Sequence, residues 1–125
     1  MLEHLRRHIA ATLAPVRSAT LATSGPAGLQ AQVVQCAANG VQLYLLLPRT
    51  SDHLLNIEHD PAVVVTTAEW QVFGRAGIAP AVECAATLLL DAPDARWSVV
   101  VAVQPTRVAI AQRTGWGAAE TIDLE

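Results

Sequence analysis

The sequence predicts a mainly β protein, an antiparallel barrel with helices at its ends. Three observations predict it. Short runs of alternating or continuous apolar residues recur through the middle and end of the chain. Turn dipeptides of hairpin type separate the first runs. Helical periodicity is confined to the first residues and to short stretches between strands.

The first element is a helix. Leu2, Leu5, Ile9 and Leu13 recur at spacings of three and four, with Glu3, Arg6 and Arg7 on the opposite face. Pro15 ends it, because proline cannot continue the hydrogen-bond ladder. Residues 19–23 are small and β-branched and read as a strand. Ser24-Gly25-Pro26-Ala27-Gly28 is a turn by composition. A second strand covers residues 29–37. Asn39-Gly40 suits a tight hairpin, since both residues tolerate positive φ. Val41, Leu43, Leu45 and Leu47 alternate with Gln42 and Tyr44 and form a third strand, completing an antiparallel meander.

Pro48 to Ser51 breaks the sheet. Ser51 is a suitable N-cap, and Asp52 in the first turn suits the positive end of a helix. That helix runs to about His59 and stops at Asp60-Pro61. The run AVVVTTA (residues 62–68) is apolar enough for a strand covered on both faces. Trp70, Val72, Gly74, Ala76 and Ile78 alternate as the next strand. Residues 80–90 fit either helix, by Val82, Ala85, Ala86 and Leu89, or strand, by 87–90. Helix is preferred, with residues 91–94 as the loop after it. Residues 97–104 are a strand that Pro105 punctuates, and 108–112 form the last one. The tail after Gly115 shows no period.

Composition sets limits. A chain of 125 residues fits one domain spanning residues 1–125, with residues 1–14 as a helix packed on the barrel. Apolar residues make up 52% and charged residues 15%, more apolar surface than a small monomer easily hides, which predicts a buried subunit interface. Eleven acids face eight arginines and no lysine. No basic patch for nucleic acid is visible. No stretch approaches the roughly 20 apolar residues of a membrane span. The charged N-terminus, MLEHLRRHIA, does not read as a secretion signal. A cytoplasmic protein is expected, with Cys36 and Cys84 as two buried thiols rather than a disulfide.

The segment Leu45-Leu46-Leu47-Pro48-Arg49-Thr50-Ser51-Asp52-His53 carries the most chemistry. A strand ends, a turn presents hydroxyls and an arginine, and a helix begins. Helix N-termini expose N–H groups and partial positive charge. Arg49, Thr50, Ser51 and His53 could therefore cradle a phosphate. An ordinary capped helix with a solvated arginine gives the same pattern, and spacing by itself favours that reading. His4 and His8 stand four apart, a spacing that can bind metal, but no acid completes a site, so no metal is expected. No G-x-S-x-G elbow supports hydrolase chemistry.

The ordered set of an Asn-Gly turn, L-Y-L-L-L-P-R-T-S-D-H-L-L-N-I-E-H-D-P, an apolar strand and V-F-G-R-A resembles the pyridoxamine 5′-phosphate oxidase-like, FMN-binding split-barrel family. The likeness continues through R-W-S-V-V-V-A-V-Q-P-T-R-V and G-W-G-A-A-E-T-I-D-L, from about Arg17 to Leu124. The resemblance implies a six-stranded split barrel, a homodimer, and FMN in a cleft between subunits. It further implies that Leu46, Leu47 and Ser51 hold the flavin phosphate, with His53 where a lysine is usual and Asp52 where a basic residue is common. Gln35 would face the flavin ring along its strand edge, and Trp70 and Gln71 would open the strand that approaches the flavin. Trp116 would pack near the cofactor or seal the dimer. Arg75 would pair with an acid across the dimer or approach a ligand, and Arg107 would be structural. A histidine with an ordinary pKa of about 6.5 is mostly neutral above pH 7, so weakened FMN binding is implied. Three functions follow: a flavin-dependent oxidoreductase, a flavin- or deazaflavin-binding module without turnover, and a cofactor-free dimeric module.

Overall fold

The computed structural model describes residues 2–79, 98–112 and 115–124. Its elements are α1 (Leu2–Leu13), β1 (Ser18–Thr23), β2 (Gln30–Asn39), β3 (Gln42–Pro48), α2 (Asp52–His59), β4 (Ala62–Thr66), β5 (Trp70–Ile78), β6 (Ser98–Gln112) and β7 (Gly115–Asp123). Every strand pairing is antiparallel. The order β3-β2-β1-β4-β5-β6 closes on itself through a β3–β6 pairing, and β7 lies along the remaining edge of β6. The fold is thus a six-stranded antiparallel split barrel with an N-terminal and one further helix, as the sequence predicts.

Alternation decides the inside. Ala19, Leu21, Thr23, Leu43, Leu45, Leu47, Val63, Val65, Trp70, Val72, Val101, Val103 and Val108 are buried, and their strand neighbours face outward. Ile9 and Leu13 carry the apolar stripe of α1 into the same core, which fixes that helix on the barrel.

The hairpin between β2 and β3 differs in detail from the sequence reading. Asn39 pairs with Gln42, so the turn residues are Gly40 and Val41. Positive φ is adopted by Gly40 (63°), while Asn39 stays in the strand. A glycine first in a two-residue turn already matches strand twist.

Two readings are corrected. Residues 97–104 and 108–112 are expected as separate strands, but β6 runs unbroken from Ser98 to Gln112. Pro105 is tolerated for two reasons. On one edge, β6 pairs with β3 up to Val103 and with β7 from Arg107, so among the described residues no strand faces Pro105 there. On the other edge the register shifts: Gly74 faces Pro105, Phe73 faces Arg107, and Thr106 is the extra residue. Bulges are where a sheet accepts proline. The tail after Gly115, which shows no period and follows what is expected to be the last strand, is β7. It has strand pairing on the β6 side, so it needs no two-sided apolar pattern. The helix preferred for residues 80–90, the loop at 91–94, and Cys84 lie outside the described residues.

Candidate functional site

The barrel opens at a fork between β2 and β3. Gln35 is the register partner of Leu46, and this is the last pair the two strands share. From Gln30 to Val34, β2 pairs with β1 alone among the described residues, and Leu47 and Pro48 of β3 pair with β6 alone. Two strand edges therefore diverge from Gln35 and Leu46, each presenting backbone N–H and C=O groups. Leu46 points outward and packs beside Tyr44 and Val100. Leu47 is fully buried in the core, so its backbone is what it offers at the fork. No charged residue occurs from Ser18 to Pro48.

The chain leaves β3 and enters α2 at this fork. Arg49, Thr50 and Asp52 are exposed. Ser51 is extended (φ −67°, ψ 133°), and its Oγ accepts from the His53 amide at 3.2 Å, the N-cap bond that the sequence predicts. The Ser51 amide donates to Pro48 O at 3.0 Å, and the Leu54 amide to Ser51 O at 3.1 Å.

His53 does not join Arg49 and Thr50 at the surface. Its ring is 1% exposed, and Nδ1 lies 2.7 Å from Thr23 Oγ1. Asn56, one turn further along α2, donates from Nδ2 to Thr23 Oγ1 (3.1 Å) and to Gly28 O (2.9 Å). Its Oδ1 accepts from the Ala27 amide at 2.9 Å. With Thr23 Oγ1 accepting from Asn56, its own proton is available to His53 Nδ1. That arrangement leaves the imidazole proton on Nε2, a buried atom without a partner among the described residues. Burial lowers the His53 pKa below its ordinary value, and the Asp52 carboxylate opposes the shift. The buried ring is thus held neutral.

Thr23 and Asn56 are site residues that the sequence reading missed. The available signal was two polar side chains, His53 and Asn56, three apart on the α2 face that also buries Ile57. Polar groups on a buried face need partners from elsewhere in the fold.

Trp70 and Gln71 are not brought to the fork. β6 lies between β3 and β5 and pairs with both, but Leu46 sits opposite Val100 and Trp70 opposite Ile110, towards the other end of β6. Trp70 is 2% exposed and belongs to the core. Gln71 faces outward in a cross-strand row with Thr66, Thr20 and Val33. The next row is Phe73, Val64, Ala22 and Ala31. Trp116 lies on β7, with its side chain outside the described residues. Arg75 is exposed, and Arg107 pairs with Asp123 at 2.7 Å across β6 and β7. His4 and His8 are exposed, and no metal-binding cluster occurs among the described residues. No helix among them is long and apolar enough to cross a membrane.

No protein-family model matches the sequence, and no curated protein matches it. Solved structures do. General stress protein 26 from Bacillus anthracis str. Sterne superposes with a TM-score of 0.72 at 18% identity, covering 97% of this chain and 99% of that one. A Clostridium acetobutylicum protein related to general stress protein 26, of the pyridoxinephosphate oxidase family, gives 0.68 at 10% identity, covering 98% and 94%. A haem-binding protein from Mycobacterium smegmatis gives 0.64 at 21% identity, covering 98% of this chain and 57% of that one. One architecture thus serves differently described proteins, so ligand chemistry has to be argued from the site. The closed β3–β6 pairing, the fork at Gln35 and Leu46, and these superpositions together give the chain the split β-barrel fold of the pyridoxamine 5′-phosphate oxidase-like proteins.

Proposed function

We propose that this protein binds a flavin at the β2–β3 fork, works as a homodimer, and serves as a flavin-dependent oxidoreductase in the cytoplasm. The observation that carries the proposal is the fork itself. Two diverging strand edges offer alternating donors and acceptors beside an uncharged, partly apolar surface. The rim of a flavin ring carries the complementary donors and acceptors, and its faces are apolar. The bound flavin would supply the hydride or electron chemistry, with the protein providing position and electrostatics.

The dimer rests on two facts. Leu29 is 87% and Val33 72% exposed on the isolated chain, within a segment that holds no charge to protect its open edge. The fork meets β6 at Val100 and the start of β5 meets it at Ile110, towards that strand's opposite ends, so a cleft using both needs a second copy. Cytoplasmic placement is supported by Cys36 as a buried thiol, a state natural to a reducing compartment.

The test is the visible spectrum of the purified protein, followed by flavin titration and by assay with a reduced nicotinamide donor. A yellow protein, or saturable quenching of flavin fluorescence, supports the binding reading, and turnover supports the oxidoreductase. A binding protein without turnover is the flavin- or deazaflavin-carrying module. A colourless protein that leaves flavin fluorescence unchanged is the cofactor-free module and overturns the proposal.

A further inference from the structure

Resting on the flavin reading, we infer that this site selects the ring and not the phosphate, so that riboflavin binds as tightly as FMN. The start of α2 has little left to offer an anion. Three of its amides already have partners within the chain: Ser51 N to Pro48 O, His53 N to Ser51 Oγ, and Leu54 N to Ser51 O. An anion cradle works by leaving such N–H groups open.

The charges lead to the same conclusion. Where the family resemblance places a lysine, this chain has His53, whose ring is buried against Thr23 instead of reaching the surface. The Asp52 carboxylate stands exposed in the first turn. A helix N-terminus contributes about half a positive charge. Arg49 adds one and Asp52 removes one. The remainder faces the roughly −1.5 to −2 that a phosphate monoester carries near pH 7. The residues at the fork suit the ring of FMN, and those at α2 do not suit its phosphate.

The deciding experiment titrates the full-length protein with riboflavin and with FMN in parallel at pH 7.5, following flavin fluorescence. The expected dissociation constants agree within about threefold, and the FMN value changes less than about threefold between 50 and 500 mM salt. FMN binding tenfold or more tighter than riboflavin overturns the inference while leaving the flavin reading intact. Binding of neither flavin overturns the flavin reading itself. A second arm uses Asp52→Lys, at an exposed position. This variant is expected to favour FMN over riboflavin by at least fivefold, because it turns a repelling charge into an attracting one. An unchanged ratio in the variant means that α2 does not face the phosphate, and overturns the argument.

Discussion

His53 Nδ1 and Thr23 Oγ1 lie 2.7 Å apart inside the protein, joining the first turn of α2 to the last residue of β1. Asn56 bonds the same hydroxyl and reaches on to Ala27 and Gly28. Three side chains distant in sequence thus tie α2 to the turn between β1 and β2, and α2 begins where the fork ends.

Replacing Thr23 with valine keeps the shape and removes the shared hydroxyl. His53 Nδ1 and Asn56 Nδ2 each lose a buried partner. The expected loss is about 1–3 kcal/mol, read as a lower urea midpoint at unchanged slope. Thr23→Ser should recover most of it. Equal midpoints for wild type and the valine variant would show that the network contributes nothing net.

The His53 pKa is lowered in the folded state by burial, against an unfolded value of about 6.5. Between the two values the unfolded chain holds the extra proton, so stability rises with pH across that window. The contribution of His53 is complete above about pH 6.5 and is lost as pH falls through the folded value. Denaturant midpoints measured from pH 7.5 to 5 should decline, and NMR titration of the imidazole should give a midpoint below the ordinary one. A His53 resonance titrating at or above about 6.5 would contradict the buried neutral ring. FMN affinity should not rise between pH 8 and 6 on account of this residue.

Gly74 sits at the β5–β6 register shift, where an added Cβ would stand 2.5 Å from Gln104 O and 2.8 Å from Val103 Cγ1. The obstructing oxygen belongs to backbone and cannot swing away. Gly74→Ala should therefore destabilise by roughly 1–3 kcal/mol, the usual range for overpacking. Gly77→Ala on the same strand meets nothing within 4 Å among the described residues and should change stability by no more than about 0.5 kcal/mol. Thermal unfolding of the two variants side by side checks the contrast.

Val33 is 72% exposed on the stretch of β2 that pairs only with β1 among the described residues. Val33→Glu should leave the fold intact and weaken self-association by tenfold or more, seen by sedimentation velocity across a concentration series. A variant that stays as dimeric as the wild type would remove this edge from the interface.

Cys36 is fully buried, and burial pushes its thiol pKa up to about 12. In a Cys84→Ser background, a thiol reagent at pH 8 should label Cys36 only as fast as the protein opens. Denaturant should raise the rate by orders of magnitude. Immediate labelling of the native protein would place Cys36 at the surface.

The sequence by itself determined the local elements: the α1 stripe of Leu5, Ile9 and Leu13, the alternation of Leu43, Leu45 and Leu47, the Ser51 cap, and the turn at Gly40. Each follows from a periodicity or a backbone preference that reads out over a few residues. The tertiary structure alone decided three matters. It carried β6 through Pro105, because no strand among the described residues faces it on one edge and a bulge receives it on the other. It made a strand of residues 115–123, because pairing with β6 supplies what their own pattern lacks. It turned His53 inward, because Thr23, itself bonded by Asn56, offers the buried imidazole a partner that no spacing along the chain reveals. Long-range hydrogen bonds and register arise between segments tens of residues apart, so a pattern read along one segment does not contain them.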